Sequence, residues 1–371
     1  MKIAFIINSL GGGGAERVVT TLSNYLIQNG YEITIILLEK DIIQYDLDKR
    51  VNLVVLKTSR ITKGIAKIMF IPLQALELNY ILKKIKIDKS ISFLTRANLV
   101  FSFTKFFSKK NIIISQRNNA RKNYEIKSIQ NNIMNFLIKR LYKKADKIIA
   151  ISHGIKDSLH EDYNININKI QVIYNPQNNK LIQNSNTKKL IFEFKKEYKY
   201  FITLGRLIKP KDHKTMIEAF HIVTQTYPYS NLIILGDGEL KSDIKSLINK
   251  LNLTDKVILL GFVKNPFDYL KKADIFVFSS KFEGFGNVLV EAMASGLPVI
   301  STDCPSGPAE ILENGKYGIL TKVENKKELA KAMINMLDTD RYNYFQNKSI
   351  ERAKDFDITI VAKEYLEILY R

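Results

Sequence analysis

Two cations follow a glycine at the end of an apolar run. Tyr200–Leu204 reads as a strand, Gly205, Arg206 and Leu207 come next, and Lys211 stands four positions further on. A guanidinium and an ammonium offered together suit a diphosphate, the first through forked hydrogen bonds and the second as a point charge. A second cluster follows the apolar run Asp274–Phe278. There Glu283 and Glu291 stand eight positions apart, with Gly284, Phe285, Gly286, Asn287 and Val288 between them. Glycines just before a helix expose backbone amides on which an anion can sit. Glu291 falls about one turn into that helix, among Leu289, Val290, Ala292 and Met293. A carboxylate with such neighbours is expected to be buried and to need a partner, and it can accept from two sugar hydroxyls. A third cluster is Gly11–Gly14, between the first apolar run and Ala15-Glu16-Arg17. A dinucleotide fingerprint needs a further glycine at position 16 or 17, where Glu16 and Arg17 stand; only Glu39, closing the second apolar run, favours it.

These groups can stabilise negative charge that develops on a leaving diphosphate. Donors aimed at such charge supply a large catalytic contribution, about 3–4 kcal/mol for one donor. A metal ion does the same work in proteins that carry D-x-D at a strand end. The D-x-D of this chain, Asp355-Phe356-Asp357, lies between late helices and reads as a solvated cap. No metal and no other cofactor is therefore expected. Ser115-Gln116-Arg117-Asn118-Asn119 follows another apolar run, so Arg117 and Asn118 are candidates for a sugar or acceptor contact, against a structural turn. Ser152 and His153 read as a helix cap. Cys304 is the single cysteine, which excludes a disulfide scaffold and a multi-cysteine zinc site, and no general base lies near it in sequence.

The elements that must hold these groups alternate. Strands are expected at Lys2–Ile7, Glu32–Leu38, Val51–Leu56, Ser90–Phe93, Asn111–Ser115, Lys147–Ala150 and Ile170–Tyr174, with helices at Ala15–Asn29, Ile65–Ile85, Tyr124–Tyr142 and His153–His160 between them. The strands are continuous apolar runs, as in a parallel sheet covered on both faces. Alternation pauses in the polar stretch after Asn175. It resumes with strands at Tyr200–Leu204, Asn231–Leu235, Lys256–Leu260, Asp274–Phe278 and Pro298–Ser301, and helices at Asp212–Tyr227, Leu240–Leu251, Asn287–Ser295 and Lys326–Asp338. The fold class is α/β, with two doubly wound Rossmann-like domains: residues 1–180, a linker at 181–199, and 200–340, with helices at 341–371 free to pack on either. Ligands of such sheets bind outside the carboxyl ends of the strands, where all three clusters fall.

Charge adds a partner. The chain has 371 residues and a formal net charge of +20. Residues 1–180 hold 29 basic and 13 acidic residues, a net +16. Lys57–Lys110 alone carries 12 basic residues against Glu77 and Asp88, interleaved with Met69, Phe70, Phe93, Phe101, Phe103, Phe106 and Phe107. Cations mixed with apolar side chains suit an anionic membrane surface. No recognition helix, RRM signature or zinc module points to nucleic acid. No run of 18 apolar residues could span a bilayer, and the five-residue apolar start is too short for a signal peptide. A cytoplasmic protein, peripheral on the inner membrane face, is expected.

Five segments, each at a strand end, carry a family resemblance: GGGGAERV at 11–18, GRLIKPK at 205–211, GDGEL at 236–240, FEGFGNVLVEAMASGLPVI at 282–300 and TDCPSGPAEIL at 302–312. Together they resemble the family 4 retaining glycosyltransferases of GT-B fold, two Rossmann-like domains facing across a cleft. They are most similar to bacterial enzymes that build lipid-linked or surface glycans. The resemblance implies that Arg206 and Lys211 hold the donor diphosphate, Glu291 the ribose and Glu283 the donor sugar near the reacting centre. It implies that amides of Gly284, Phe285, Gly286, Asn287 and Val288 touch phosphate or sugar, that Gly13 and Gly14 close over the donor, and that Phe262 and Val263 line the base pocket. The implied reaction moves GalNAc, GlcNAc or Gal from a UDP-sugar to a polyprenyl-diphosphate-linked or other surface-glycan acceptor, with retention and without a metal. The alternatives are a GT-B-fold epimerase or phosphorylase acting on a soluble sugar, and a non-enzymatic basic membrane-binding protein.

Overall fold

The computed structural model describes residues 1–60, 66–124, 128–184 and 190–370. Ile65 of one expected helix, residues 125–127 of another and residues 185–189 of the expected linker lie outside the described residues. The chain divides into two compact units, Met1–Gln177 with Ile358–Arg371, and Asn178–Asp357. Of the late helices, Thr339–Ala353 belongs to the second unit and Ile358–Tyr370 to the first.

The first unit holds seven strands: β1 Lys2–Ile7, β2 Glu32–Leu37, β3 Asn52–Val55, β4 Lys89–Phe93, β5 Ile113–Gln116, β6 Lys147–Ala150 and β7 Ile170–Val172. All pair in parallel in the order β3-β2-β1-β4-β5-β6-β7. Winding starts at β1, runs outward to β3, then returns to β4 on the other side. The switch point therefore lies between β1 and β4. Phe5 meets Phe93 edge to face at 5.4 Å, and Phe93 stacks on Tyr365 of the C-terminal helix at 6.3 Å. Val361, Ala362, Tyr365, Ile368 and Leu369 are buried in this same core. Fully burying an aliphatic or aromatic side chain contributes about 1.5–3 kcal/mol, which ties the chain's end to its beginning.

The second unit repeats the winding with β8 Lys199–Leu204, β9 Ser230–Leu235, β10 Val257–Gly261, β11 Ile275–Phe278, β12 Val299–Thr302 and β13 Ile319–Thr321, in the order β10-β9-β8-β11-β12-β13. Its switch point lies between β8 and β11.

Several elements escaped the sequence reading, among them one long helix and the last strand. Helix Thr95–Phe103 has Thr95, Ala97, Asn98, Leu99, Val100, Phe101 and Ser102 all buried, so no polar face marks its period. β13 is three residues long at a sheet edge. The apolar residues expected among the lysines of 57–110 also separate. Phe93 and Phe101 belong to the buried core, whereas Met69 and Phe106 are exposed.

Candidate active site

In the second unit both clusters stand at the carboxyl ends of the two strands that flank the switch point. The loop after β8 carries Arg206 and Lys211, and the loop after β11 carries Glu283. Backbone and side chain lock the loops together. Lys281 N donates to Pro210 O at 2.8 Å, and Ser279 Oγ donates to Lys211 O at 2.8 Å and Asp212 O at 3.0 Å. At the centre, Lys211 Nζ donates to Glu283 Oε1 at 2.5 Å and lies 5.0 Å from the centroid of the Phe278 ring. The same carboxylate oxygen accepts from Ser280 Oγ at 2.8 Å. Thr302 Oγ1 at the end of β12 fixes the Ser280 carbonyl at 2.6 Å. An ammonium has three N–H donors, so one bond to Glu283 leaves capacity for an anion. Arg206 is exposed, and among the described residues its side chain makes no hydrogen bond or ion pair.

The GDG at 236–238 holds the backbone on either side of Arg206. Gly236 has φ +145°, and a Cβ there would overlap the Gly205 carbonyl. A Cβ on Gly238 would come within 2.6 Å of Leu207 O. This close approach lets Leu207 N donate to Asp237 O at 3.0 Å and Leu240 N to Leu207 O at 3.0 Å. Gly236 N donates to Gly261 O at 2.7 Å, which brings the next loop, with exposed Phe262 and half-buried Val263, against the same glycines.

The segment from Gly284 to Glu291 enters helix Asn287–Ala294 through Gly286, whose φ of +101° is left-handed. Gly307 opposes it: a Cβ there would overlap the Phe285 carbonyl, which is the physical content of the PSG turn. Phe285 is buried and meets Phe356 edge to face at 5.7 Å. Asn287 and Val288, half-buried, form the first turn. Glu291 is fully buried.

Of two further neighbours, His213 and Cys304, sequence reasoning missed the first. Burial, and then the charge of Lys211, push His213 down to about 4, so its imidazole is neutral beside the ammonium. Nothing in its sequence context distinguished it from an ordinary helix-start residue. Cys304 is buried, and desolvation followed by the charge of Glu283 pushes its thiol up to about 12. A thiol so held is not a nucleophile near neutrality. Asp355 pairs with Arg352 at 2.8 Å, and among the described residues no group of three or more His, Cys, Asp or Glu gathers as a metal site.

The first unit places its candidates differently. Gly11–Gly14 follow β1 and open helix Gly14–Gln28, with Gly12 at φ +99°. The following strand's exit loop folds onto them. Tyr45 Oη donates to Gly13 O at 3.2 Å, and Asp41, Gln44 and Glu16 side chains stand where Cβ atoms of Gly11, Gly12 and Gly13 would be. Glu39 is ion-paired with Lys67 at 2.8 Å and with Arg96, so its carboxylate is already engaged. Arg117 is buried. Its Nη1 donates to Tyr365 Oη at 2.9 Å and Ser115 Oγ at 3.3 Å, and Nη2 donates to Asn175 Oδ1. Desolvation lowers its basicity, while burial raises Glu16 against the opposing pull of its own backbone hydrogen bond and of Arg117. Half-buried Asn118 accepts from Gln116 Nε2 through its carbonyl at 2.9 Å and its side chain at 2.7 Å. Ser152 caps helix His153–Glu161 through Ile155 N at 3.2 Å.

Two all-parallel, doubly wound units are the architecture of the GT-B fold. Anabaena HepE, solved in complex with UDP, superposes with a TM-score of 0.78 over 100% of both chains at 19% identity, a likeness that speaks for the fold. Residues 12–178 match the family described as Glycosyltransferase Family 4, and residues 184–356 that described as Glycosyl transferases group 1. A Campylobacter jejuni protein, named N-acetylgalactosamine-N,N'-diacetylbacillosaminyl-diphospho-undecaprenol 4-alpha-N-acetylgalactosaminyltransferase, is 34% identical over 99% of this chain and 99% of its own. A second from the same organism, a GalNAc-alpha-(1->4)-GalNAc-alpha-(1->3)-diNAcBac-PP-undecaprenol alpha-1,4-N-acetyl-D-galactosaminyltransferase, is 27% identical over 100% of this chain and 98% of its own. The chain belongs to glycosyltransferase family 4 and is a glycosyltransferase. The epimerase alternative finds no support in these matches.

Proposed function

We propose that the chain transfers an N-acetylhexosamine or hexose from a UDP-sugar to a glycan carried on polyprenyl diphosphate, with retention of configuration and without a metal. The observation that carries this reading is the Lys211–Glu283 pair at the β8–β11 switch point, with exposed Arg206 on the same loop as Lys211. The names of the two Campylobacter relatives support the acceptor class, and the UDP complex of the Anabaena protein supports the nucleotide. In the reaction, the bond between sugar C1 and the β-phosphate oxygen breaks. A new bond forms to the acceptor hydroxyl oxygen on the same face, and the hydroxyl proton passes to the departing phosphate. Arg206 and Lys211 stabilise the charge left on the diphosphate. Glu283, held by Ser280, contacts the sugar near C1, and Glu291 accepts from the ribose hydroxyls. Amides of Gly284, Phe285, Gly286, Asn287 and Val288 meet phosphate or sugar, and Phe262 and Val263 face the base.

The acceptor's lipid carrier puts the enzyme at a membrane. Among the described residues no helix is long and apolar enough to cross one. The excess of basic residues in the first unit supports attachment to an anionic inner surface. The test incubates the protein with UDP-GalNAc, UDP-GlcNAc or UDP-Gal, a polyprenyl-diphosphate-linked glycan and EDTA, and reads products by mass spectrometry. Sugar addition to the lipid-linked glycan is expected. UDP release without glycan extension, or a requirement for divalent metal, overturns the corresponding part of the reading.

A further inference from the structure

Helix Ile71–Lys84 of the first unit has two apolar faces. Ile71, Ala75, Leu78 and Leu82 are buried in the unit. Leu73, Leu76 and Tyr80 are exposed, the tyrosine by 63%. At about 100° per residue, Leu73, Leu76, Tyr80 and Lys83 fall within an arc of about 80°. Helix Ile129–Leu141 repeats the arrangement. Met134, Ile138 and Leu141 are buried, whereas Ile129 is 74% and Phe136 58% exposed. Ile129, Ile133, Phe136 and Arg140 share an arc of about 60°. A surface helix of a self-sufficient unit turns charged or polar residues outward, so an apolar outward stripe on two helices marks a binding surface.

The two stripes belong to one side of the sheet. The buried helix Thr95–Phe103 packs against both helices. Between them lies Phe106, 59% exposed, whose short segment touches helix Ile71–Lys84. Lys144, just beyond the end of the second helix, places its ammonium 5.5 Å from the centroid of the Phe106 ring. Cations rim the apolar residues: Lys83, Lys84, Lys139, Arg140, Lys143 and Lys144 are all exposed. None of them is ion-paired among the described residues. The one acidic residue of 71–84 and 129–144 is Glu77, and its carboxylate is engaged elsewhere, accepting from the backbone N–H of Lys57 and Thr58.

We propose that this face, Leu73, Leu76, Tyr80, Phe106, Ile129 and Phe136 with its rim of cations, is the surface by which the first unit docks on an anionic phospholipid layer. The inference rests on the membrane reading above and assigns it to particular residues, two of them outside the lysine-rich stretch 57–110. Charge complementarity selects the occupant. Apolar side chains enter the boundary between headgroups and acyl chains, while the rim cations meet lipid phosphates. A second copy of the chain on the same face would set like charges against each other, because a two-fold interface joins a patch to itself.

Flotation of the full chain with phosphatidylglycerol–phosphatidylcholine vesicles, against phosphatidylcholine alone, tests it. The wild-type chain is expected to float with the anionic vesicles, and more at low salt than at high. Two variants probe the face independently: Leu76→Glu with Phe136→Glu, and Lys139→Gln with Arg140→Gln and Lys143→Gln. Each should weaken vesicle binding by about tenfold or more. Both should keep the thermal shift produced by UDP and keep transfer to a water-soluble, short-chain acceptor. Unchanged flotation of both variants overturns the proposal. So does a lipid-free wild-type dimer that Leu76→Glu splits. If the wild-type chain transfers sugar to neither the long- nor the short-chain acceptor, the transferase substrate reading fails, while flotation still decides the face.

Discussion

The two units share one winding and use their strand ends in opposite ways. In the second, Arg206 after β8 is exposed and, among the described residues, uncommitted, and half-buried Lys211 keeps donors beyond its bond to Glu283. In the first, Arg117 after β5 is buried and bonded to Tyr365, Ser115 and Asn175. The same residue type at the same kind of position is exposed in one unit and a buried rivet in the other. The difference lies in what packs over the strand end. A helix from the far end of the chain covers Arg117, whereas Arg206 stays exposed. Net charge divides the other way: the first unit carries 30 basic and 15 acidic residues, the second 27 and 22. Abundance of cations and the placement of two of them at strand ends are therefore separate signals.

The largest expected effect separates ligand group from rivet. Arg206→Ala or Lys211→Ala should lower kcat by about 10²–10³-fold with the thermal midpoint little changed. Arg117→Ala should instead destabilise the chain, by about 1–3 kcal/mol, because it leaves buried polar atoms of Tyr365 and Asn175 without their donor. Steady-state kinetics and urea melts on the same samples check both. If Arg117→Ala folds normally and loses transfer, the contrast is wrong. Next come the glycines. Gly236→Ala forces a Cβ onto the Gly205 carbonyl and should cost several-fold or more in UDP affinity, because it displaces Arg206. Gly11→Ala meets only the end of the flexible Asp41 side chain and should bind UDP nearly as the parent does. Calorimetric titration with UDP reads the pair.

A smaller effect is acid response, with opposite signs in the two units. His213 is held neutral, down to about 4 against an ordinary value of 6.5. Between those limits the unfolded chain binds a proton that the folded chain refuses, so the second unit should lose stability as pH falls through this window. Glu16 is raised above its ordinary 4.5. Its contribution is full below that value and is lost as pH rises through the raised one, so the first unit should gain on mild acidification. Proteolysis in urea at pH 5 and pH 7, with fragments assigned by mass, resolves the units. His213→Gln should remove the second unit's dependence. Smallest of all, Ser280→Ala removes one of two bonds to Glu283 Oε1 and should reduce kcat by a few-fold, with UDP affinity retained.

The alternation of apolar runs and amphipathic stretches was enough to read two doubly wound sheets, because parallel strands covered on both faces leave continuous runs in the chain. Glycine and charge at strand ends likewise marked the clusters at Arg206, Lys211, Glu283 and Glu291, since a close backbone approach admits few residue types. Helix Thr95–Phe103 stayed hidden because burial on every side erases its period. Tertiary structure alone decided which cations are free. It turned Arg117 inward under Tyr365, from 248 positions away, paired Lys67 and Arg96 with Glu39, and set neutral His213 beside Lys211. It also moved Phe93 and Phe101 into the core and left Leu73, Leu76 and Phe136 outside. Local sequence reports what a residue can do; burial and partners, set by contacts across the chain, select what it does.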